Sequence, residues 1–388
     1  MQPTPRGSRS TACSRGCAEE FFQSGHSAST FIQQANAMAE LLDHRATATG
    51  VSGRGLWLRR LTATVLGFAL AVFYSALWPR IADAYFWSKS PTIHDVVKHV
   101  MERNGIAGSV VAIGYEGEIP QISAFGWKTD GREMLPNETF SLASLSKPIT
   151  AAAVMRLIDQ GAFSLDDRLV DLVPIARTAR DQRYADITVR HLLQHSGGWM
   201  SPANFGLTGD DCSPVALEEM SYSLGFAPGE RYVYSNIGYC WLELIISTRP
   251  GSDYETYVRK AVLDPAGAEL KLENRLFGGF GGWAGTAADC FRFFSRPPMT
   301  AQVASRALLE DPTVYYGLGV AIIDEATGHW GSFLGAKRVF TLALRAPSGA
   351  TVVALFNDYP RDARATAAKA LMAFRRDIEA RRPGTPLP

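Results

Sequence analysis

Cysteine is scarce in this chain: there are five in 388 residues, at positions 13, 17, 212, 240 and 290. They are too sparse for a disulfide framework and too scattered for a zinc site, so the fold must stand on its hydrophobic core. Excess charge of either sign is also missing, with 39 basic against 38 acidic side chains and a formal net charge of +1. No long Lys/Arg block follows the first 80 residues. Nothing in that balance draws the chain onto a polyanion, and no nucleic-acid partner is expected. Internal repeats are absent as well. What is present is apolar material, 46% hydrophobic against 20% charged, which excludes a disordered or collagen-like chain.

The first 55 residues are rich in Ser, Ala, Gly, Thr and Arg without apolar periodicity, and read as a disordered tail. Residues 56–80 read as a membrane anchor. At its centre, Leu61 to Trp78 runs 18 residues without a charge, a helix of about 27 Å that matches a bilayer's hydrocarbon thickness. Arg54, Arg59 and Arg60 precede this run, while Asp83 offsets Arg80 behind it. That asymmetry keeps the N-terminus inside and sends the bulk across. Trp57, Tyr74 and Trp78 stand near its ends as interface anchors. A buried core helix is the competing reading, but such a helix shows a polar stripe. Ala82-Asp83-Ala84 fits a signal-peptidase pattern, yet the lead is long for a cleaved signal, so an uncleaved anchor is expected. A start at Met38 would shorten that lead.

Beyond the anchor, Ile93, Val96, Val97, Val100 and Met101 recur at helical spacing, with Gly105 as the stop. Val110–Tyr115 and Gln121–Trp127 read as paired strands around a turn at Glu116-Gly117-Glu118. Val339–Ala346 and Thr351–Asn357 read likewise around Pro347-Ser348-Gly349. Between these pairs the chain reads mainly helical: Ala151–Gln160, Val189–Gln194, and a segment opened by Thr286 and capped with Asp289. A last helix, Ala363–Arg381, aligns Ala367, Leu371, Phe374 and Ile378. The expected class is α+β: an antiparallel sheet built from both ends of residues 90–382, flanked by helices, with a helical subdomain opposite. The sheet part is expected at about 90–143 and 315–382, and the helical part at about 144–314. A site would form at their seam.

The chemistry begins at Ser144-Leu145-Ser146-Lys147. Ser144 and Lys147, three apart at a helix start, share one face, so hydroxyl and amine can touch. A desolvated amine beside the hydroxyl can take or relay its proton, and the helix N-terminus favours developing negative charge. Next comes Tyr234-Ser235-Asn236, in which a tyrosinate beside Lys147 would be a competent base, provided its pKa near 10 falls. Asn236 offers a donor and an acceptor to a substrate amide. His329-Trp330-Gly331-Ser332 follows in a glycine-rich run before the closing strands. Glycine lets a strand edge approach a substrate, and the Ser332 and Ser144 N–H groups could pair as an oxyanion hole. No metal and no organic cofactor is expected. His191 and His195 stand four apart, but Leu192-Leu193-Gln194 lacks a metalloprotease glutamate. Asp166 and Asp167 are adjacent and point apart, as turn residues do. Cys240 and Cys290 read as packing residues, with a bridge involving Cys212 left open.

In these ordered motifs the chain resembles the serine hydrolases of the class C beta-lactamase, D-alanyl-D-alanine carboxypeptidase and family VIII esterase group. The resemblance covers roughly residues 93–360. Leu165-Asp166-Asp167, Ile187–Leu193, His195-Ser196-Gly197-Gly198, Gly281-Gly282-Trp283 and Tyr316-Gly317-Leu318-Gly319 look like that group's recurrent segments. It implies a beta-lactamase/transpeptidase-like fold, Ser144 as acylated nucleophile, and Lys147 and Tyr234 as the proton-transfer pair. It further implies Asn236 as an amide contact, oxyanion donors at Ser144 and Ser332 beside Gly331, and His329 facing the substrate's acid end. The chain departs from the beta-lactamases in carrying His329 and bulky Trp330 where they usually have Lys and a small residue, and its 270–281 and 294–314 stretches look short. The reading is a single-pass hydrolase of the bacterial cytoplasmic membrane with a periplasmic catalytic domain. It would cleave a D-amino-acid peptide of peptidoglycan or a small ester through an acyl-serine. A beta-lactamase and a non-catalytic cell-wall-binding protein, its cleft blocked by Trp330, are the alternatives.

Overall fold

The computed structural model describes residues 61, 62, 64–69, 73–200, 212–248, 253–297, 307–308, 314–335 and 338–380. The chain divides into two compact units, residues 1–89 and 90–388. The expected tail, 1–55, lies outside the described residues. In the first unit residues 64–69 are helical, Phe73–Leu77 form a π-helical turn and Trp78–Ser88 an α-helix. Positions 63 and 70–72 of the expected anchor lie outside the described residues. Among the described ones no helix is long and apolar enough to cross a membrane. Leu66 and Phe68 are nonetheless 61% and 72% exposed.

The second unit opens with α1, Ile93–Asn104. Thr92 and Asp95 close a reciprocal capping box at its start, and Gly105 ends it with φ +67, the left-handed geometry that costs glycine nothing. Ile93, Val96, Val97 and Val100 are buried as the spacing predicts. Strands β1, Gly108–Gly114, and β2, Gln121–Gly126, follow as an antiparallel pair. After β3, Phe140–Ser141, a 3-10 turn at Ala143–Leu145 leads into α2, Ser146–Asp159. Next come α3, Val189–Leu193, and α4, Ile237–Ser247. Short strands β4, Lys271–Leu272, and β5, Trp283–Gly285, then precede α5, Ala287–Phe294. Thr286 caps α5 by accepting from the Asp289 N–H, as its sequence indicates.

The chain closes with β6, Ala307–Leu308; β7, Val314–Tyr316; β8, Ala321–Ile323; β9, Ala326–Phe333; β10, Val339–Arg345; and β11, Thr351–Phe356. The final helix α6, Ala363–Ala380, buries Ala367, Leu371, Phe374 and Ile378 on one stripe. Eight strands make one antiparallel sheet in the order β2-β1-β11-β10-β9-β8-β7-β6. The C-terminal strand β11 thus lies between β1 and β10, in register Ala112↔Val353 and Ala343↔Val353. β10 is buried except at Arg345 and β11 throughout, so their Val, Leu and Ala runs meet packing on both faces.

The sequence reading missed β3 to β8. Each is two or three residues long, too short for a period of two to show. β3, β5 and β4 form a separate three-stranded sheet beside the start of α2, and β4 and β5 lie inside the stretch expected to be helical.

Candidate active site

The turn before α2 carries its strain on one residue. Ala143 has φ +47, a left-handed conformation that an alanine adopts only when its surroundings impose it. Two backbone bonds do so: Leu142 N–H donates to Trp283 O at 2.8 Å, and Leu145 N–H to Leu142 O at 3.1 Å. The Trp283 N–H donates in turn to Ser146 Oγ at 3.2 Å. Ser144 is thereby held half-exposed between buried neighbours.

Lys147 lies one turn on and is wholly buried. Its Nζ reaches Ser144 Oγ at 3.2 Å, Asn236 Oδ1 at 2.7 Å and the Phe280 carbonyl at 3.0 Å. Tyr234 donates its hydroxyl to Ser144 Oγ at 2.7 Å. Lys147 Nζ also sits 4.8 Å from the centre of the Tyr234 ring. The structure therefore brings Ser144, Lys147, Tyr234 and Asn236 together from the turn before α2, from α2 itself, from the segment before α4 and from the cap of α4.

Burial holds the Lys147 amine well below the usual lysine range. Burial also pushes the Tyr234 phenol well above its ordinary value, against a smaller downward pull from Ser144. Desolvation disfavours the charged form of each group. This corrects the expectation of a resting tyrosinate: the arrangement supplies a neutral amine as the ready base and a neutral phenol as the ready acid.

The third motif arrives on β9. A Cβ added to Gly331 would come within 2.7 Å of Ser144 N and of Leu142 O. Only glycine lets this strand lie against the nucleophile turn. β8 pairs with β9 only across Ala326–Gly328, so from His329 to Phe333 the side of β9 away from β10 has no strand among the described residues. Ser332 follows Gly331 on this free stretch and is half-buried.

His329 does not face outward as the resemblance implies. It is 3% exposed, its Nδ1 donates to Trp330 O at 2.7 Å, and its Nε2 accepts from the Tyr316 hydroxyl at 3.0 Å. The carbonyl partner of Nδ1 fixes this tautomer. Burial lowers its pKa to about 3. The ring is therefore neutral at physiological pH and offers no cation to a carboxylate. Strand alternation sends Trp330 to the face opposite His329 and Gly331, where it is half-buried.

Several participants carried no signal in the sequence. The Phe280 carbonyl belongs to a glycine-rich turn at Gly278–Gly281. Buried Glu243 on α4 accepts from the Gly279 N–H at 2.7 Å, and Thr150 on α2 donates to Gly279 O at 2.6 Å. A Cβ on Gly278 would strike the Glu243 carboxylate. These contacts aim the Phe280 oxygen at Lys147. Cys212 and Cys240 form a disulfide that ties the start of the 213–219 helix to α4, while Cys290 is buried and free. Cys240 is thus a bridge rather than a packing residue.

The remaining candidates separate. His191 Nδ1 accepts from Thr188 N–H, whereas His195 Nδ1 lies at the Ser235 peptide. Asp166 pairs with Arg190 at the surface, and Asp167 accepts from Ser164. Among the described residues no group of His, Cys, Asp and Glu is placed to hold a metal ion.

Comparison with known proteins places this geometry. Penicillin-binding protein 4* of Bacillus subtilis is 30% identical over 185 residues, 45% of this chain and 40% of that protein. Protein flp of Staphylococcus aureus is 25% identical over 183 residues, 45% of this chain and 36% of that protein. The chain thus matches about two fifths of the length of these curated relatives. Among solved structures, the D-amino acid amidase of Ochrobactrum anthropi superposes with TM-score 0.63 at 18% identity, over 76% of this chain and 98% of that one. A class C beta-lactamase gives 0.60 at 19%, over 72% and 94%. These likenesses give the fold, a beta-lactamase/transpeptidase-like antiparallel sheet with flanking helices. Residues 93–375 match the Beta-lactamase family, so the chain belongs to that family and has the fold of its serine hydrolases.

Proposed function

We propose that the protein hydrolyses an amide next to a D-amino acid, of the kind that ends a peptidoglycan stem peptide, through an acyl-Ser144 intermediate. The observation that carries this reading is the convergence of Lys147 Nζ and Tyr234 OH on one oxygen, Ser144 Oγ, at 3.2 and 2.7 Å. The neutral Lys147 amine takes the Ser144 proton as Oγ attacks the carbonyl carbon. The N–H groups of Ser144 and Ser332 receive the oxyanion. Asn236 contacts the substrate amide and Gly331 keeps the strand close. Tyr234 then gives its proton to the departing amine, and the new Lys147 ammonium stabilises the phenolate. Water attacks the acyl group, returning a proton to Tyr234, and Ser144 leaves with the proton held by Lys147. Every group is restored.

The names of two similar proteins, a penicillin-binding protein and a D-amino acid amidase, support this substrate class. A small carboxylic ester is the second reading. It is favoured by the neutral, inward-turned His329, which leaves the carboxylate of a peptide end or a beta-lactam without that cation. Tyr234→Phe separates the two. An amine leaves only when protonated, so the variant loses amidase activity on a D-alanyl amide by at least about 10²-fold. Its loss on a nitrophenyl ester is much smaller. Equal losses on both substrates would overturn the amide assignment.

We further propose that residues 61–78 anchor the protein in a bacterial cytoplasmic membrane, with the second unit in the periplasm. The uncharged run and the preceding arginines support this, as does the Cys212–Cys240 disulfide, a bond of oxidising compartments. The full chain should stay with membranes in alkaline carbonate and be digested by protease added to spheroplasts. Release by carbonate would refute the anchor, and protection from protease would refute the orientation.

A further inference from the structure

His195 stands just after α3 with φ +57 and is 2% exposed. Its Nδ1 lies 3.1 Å from Ser235 N and 3.0 Å from Ser235 O. Its backbone carbonyl accepts from the Val233 N–H at 2.9 Å. The ring lies over that of Tyr234, centroids 4.3 Å apart and planes at 34°. Its other nitrogen, Nε2, is buried without a hydrogen-bond partner.

Three features here cost stability: a left-handed backbone on a residue with a Cβ, a buried imidazole and an unpaired ring nitrogen. They persist together on the residue that grips the Ser235 peptide. That peptide joins Tyr234, whose hydroxyl reaches Ser144, to Asn236, whose amide oxygen reaches Lys147. Rotating it moves both contacts at once, and displacement by about 1 Å can slow chemistry on the order of 10²-fold. A packing role alone would suit an apolar ring and would leave no orphan nitrogen.

We propose that His195 is a positioning residue, which fixes the Ser235 peptide and the Tyr234 ring and so sets the reach of Tyr234 to Ser144 and of Asn236 to Lys147. This rests on the reading of Ser144 as the nucleophile. Burial, with Lys147 and His329 nearby, keeps the imidazole neutral, so it adds no positive charge beside Lys147.

Two substitutions tolerate the left-handed backbone. His195→Gly removes both grip and ring, whereas His195→Asn keeps a polar atom near the place of Nδ1. On a nitrophenyl ester His195→Gly is expected to lower kcat on the order of 10²-fold with KM within about threefold. His195→Asn is expected to recover at least tenfold of that loss at equal folded fraction. A kcat for His195→Gly within threefold of the unmutated protein overturns the proposal, as does an Asn variant no better than Gly. Should the glycine variant fail to fold, His195→Gln, whose amide reaches past Nδ1, takes its place with the same expected loss and the same overturning result. If the unmutated protein neither turns over esters nor labels with a fluorophosphonate, the nucleophile reading is what has failed. The positioning claim is then judged by the crystal structure of the glycine or glutamine variant. Tyr234 OH should lie beyond hydrogen-bond reach of Ser144 Oγ, and an unchanged 2.7 Å separation would overturn the proposal.

Discussion

At the centre of the sheet, β10 and β11 bury Leu342, Ala343, Val352, Val353 and Leu355, while the first turn of α2 buries Ser146, Lys147 and Thr150 to the same degree. In the first region each side chain leaves water at a gain, about 25 cal/mol per Å² of apolar surface, and asks little of its neighbours beyond shape. In the second, each polar group has left water at a cost and recovers it only through designated partners: Trp283 N–H for Ser146, Gly279 O for Thr150, and the oxygens of Ser144, Asn236 and Phe280 for Lys147. Equal burial therefore serves different ends. The sheet centre holds the molecule folded, and the lysine pocket spends part of that stability on a reactive amine.

Variants at the two regions should fail in opposite ways. Replacing Lys147 with Met keeps the volume and removes the proton acceptor. Turnover of a nitrophenyl ester should drop roughly 10⁴-fold. The thermal midpoint should stay within a few degrees, because relief of the buried amine offsets the acceptors left at Asn236 and Phe280. Leu342→Ala should do the reverse, costing about 2–5 kcal/mol in urea unfolding while activity per folded molecule stays close to the original. A lysine variant that mainly unfolds, or a leucine variant that mainly loses turnover, would break the distinction.

The smallest expected effect is that of pH, and it sharpens the contrast because the sheet centre does not titrate. His195 and His329 are held neutral, facing Lys147, Tyr232, Tyr234, Tyr239 and Tyr316. In the unfolded chain each binds a proton near pH 6.5; in the folded chain His329 does so only near pH 3 and His195 well below 6.5. Between those values the unfolded state holds more protons, so stability is complete above pH 6.5 and falls as the pH drops. The loss is about 1.4 kcal/mol per pH unit for each imidazole. Urea midpoints from pH 7.5 to 4.5 read this directly. A flat profile would show that neither ring is held neutral, and His195→Asn should remove part of the slope, with His329 and His191, whose pKa burial also lowers, carrying the rest.

The same contrast governs what could be read from the sequence. Central strands and amphipathic helices repeat a pattern over six or more residues, so Val339–Arg345, Thr351–Phe356 and Ile93–Asn104 emerge within a residue or three of their expected limits. Ser144 and Lys147 announce themselves by helical spacing, and Tyr234 and Asn236 by their tripeptide. The rest of the pocket is built from things a sequence does not spell: the Phe280 carbonyl, the strained Ala143, and the direction in which His329 turns. The state of Tyr234 is hidden for the same reason. A phenol's pKa depends on how much water surrounds it, and the elements that exclude water here come from distant parts of the chain.

The place of β11 bears on how the molecule is made. A sheet in which β11 fills a slot between β1 and β10 stays split in two until residues 351–356 have been made. The site can assemble only after β11 has emerged. Truncation before β11 would take out the sheet's keystone rather than trim its rim, leaving two exposed strand edges ready to pair with other chains.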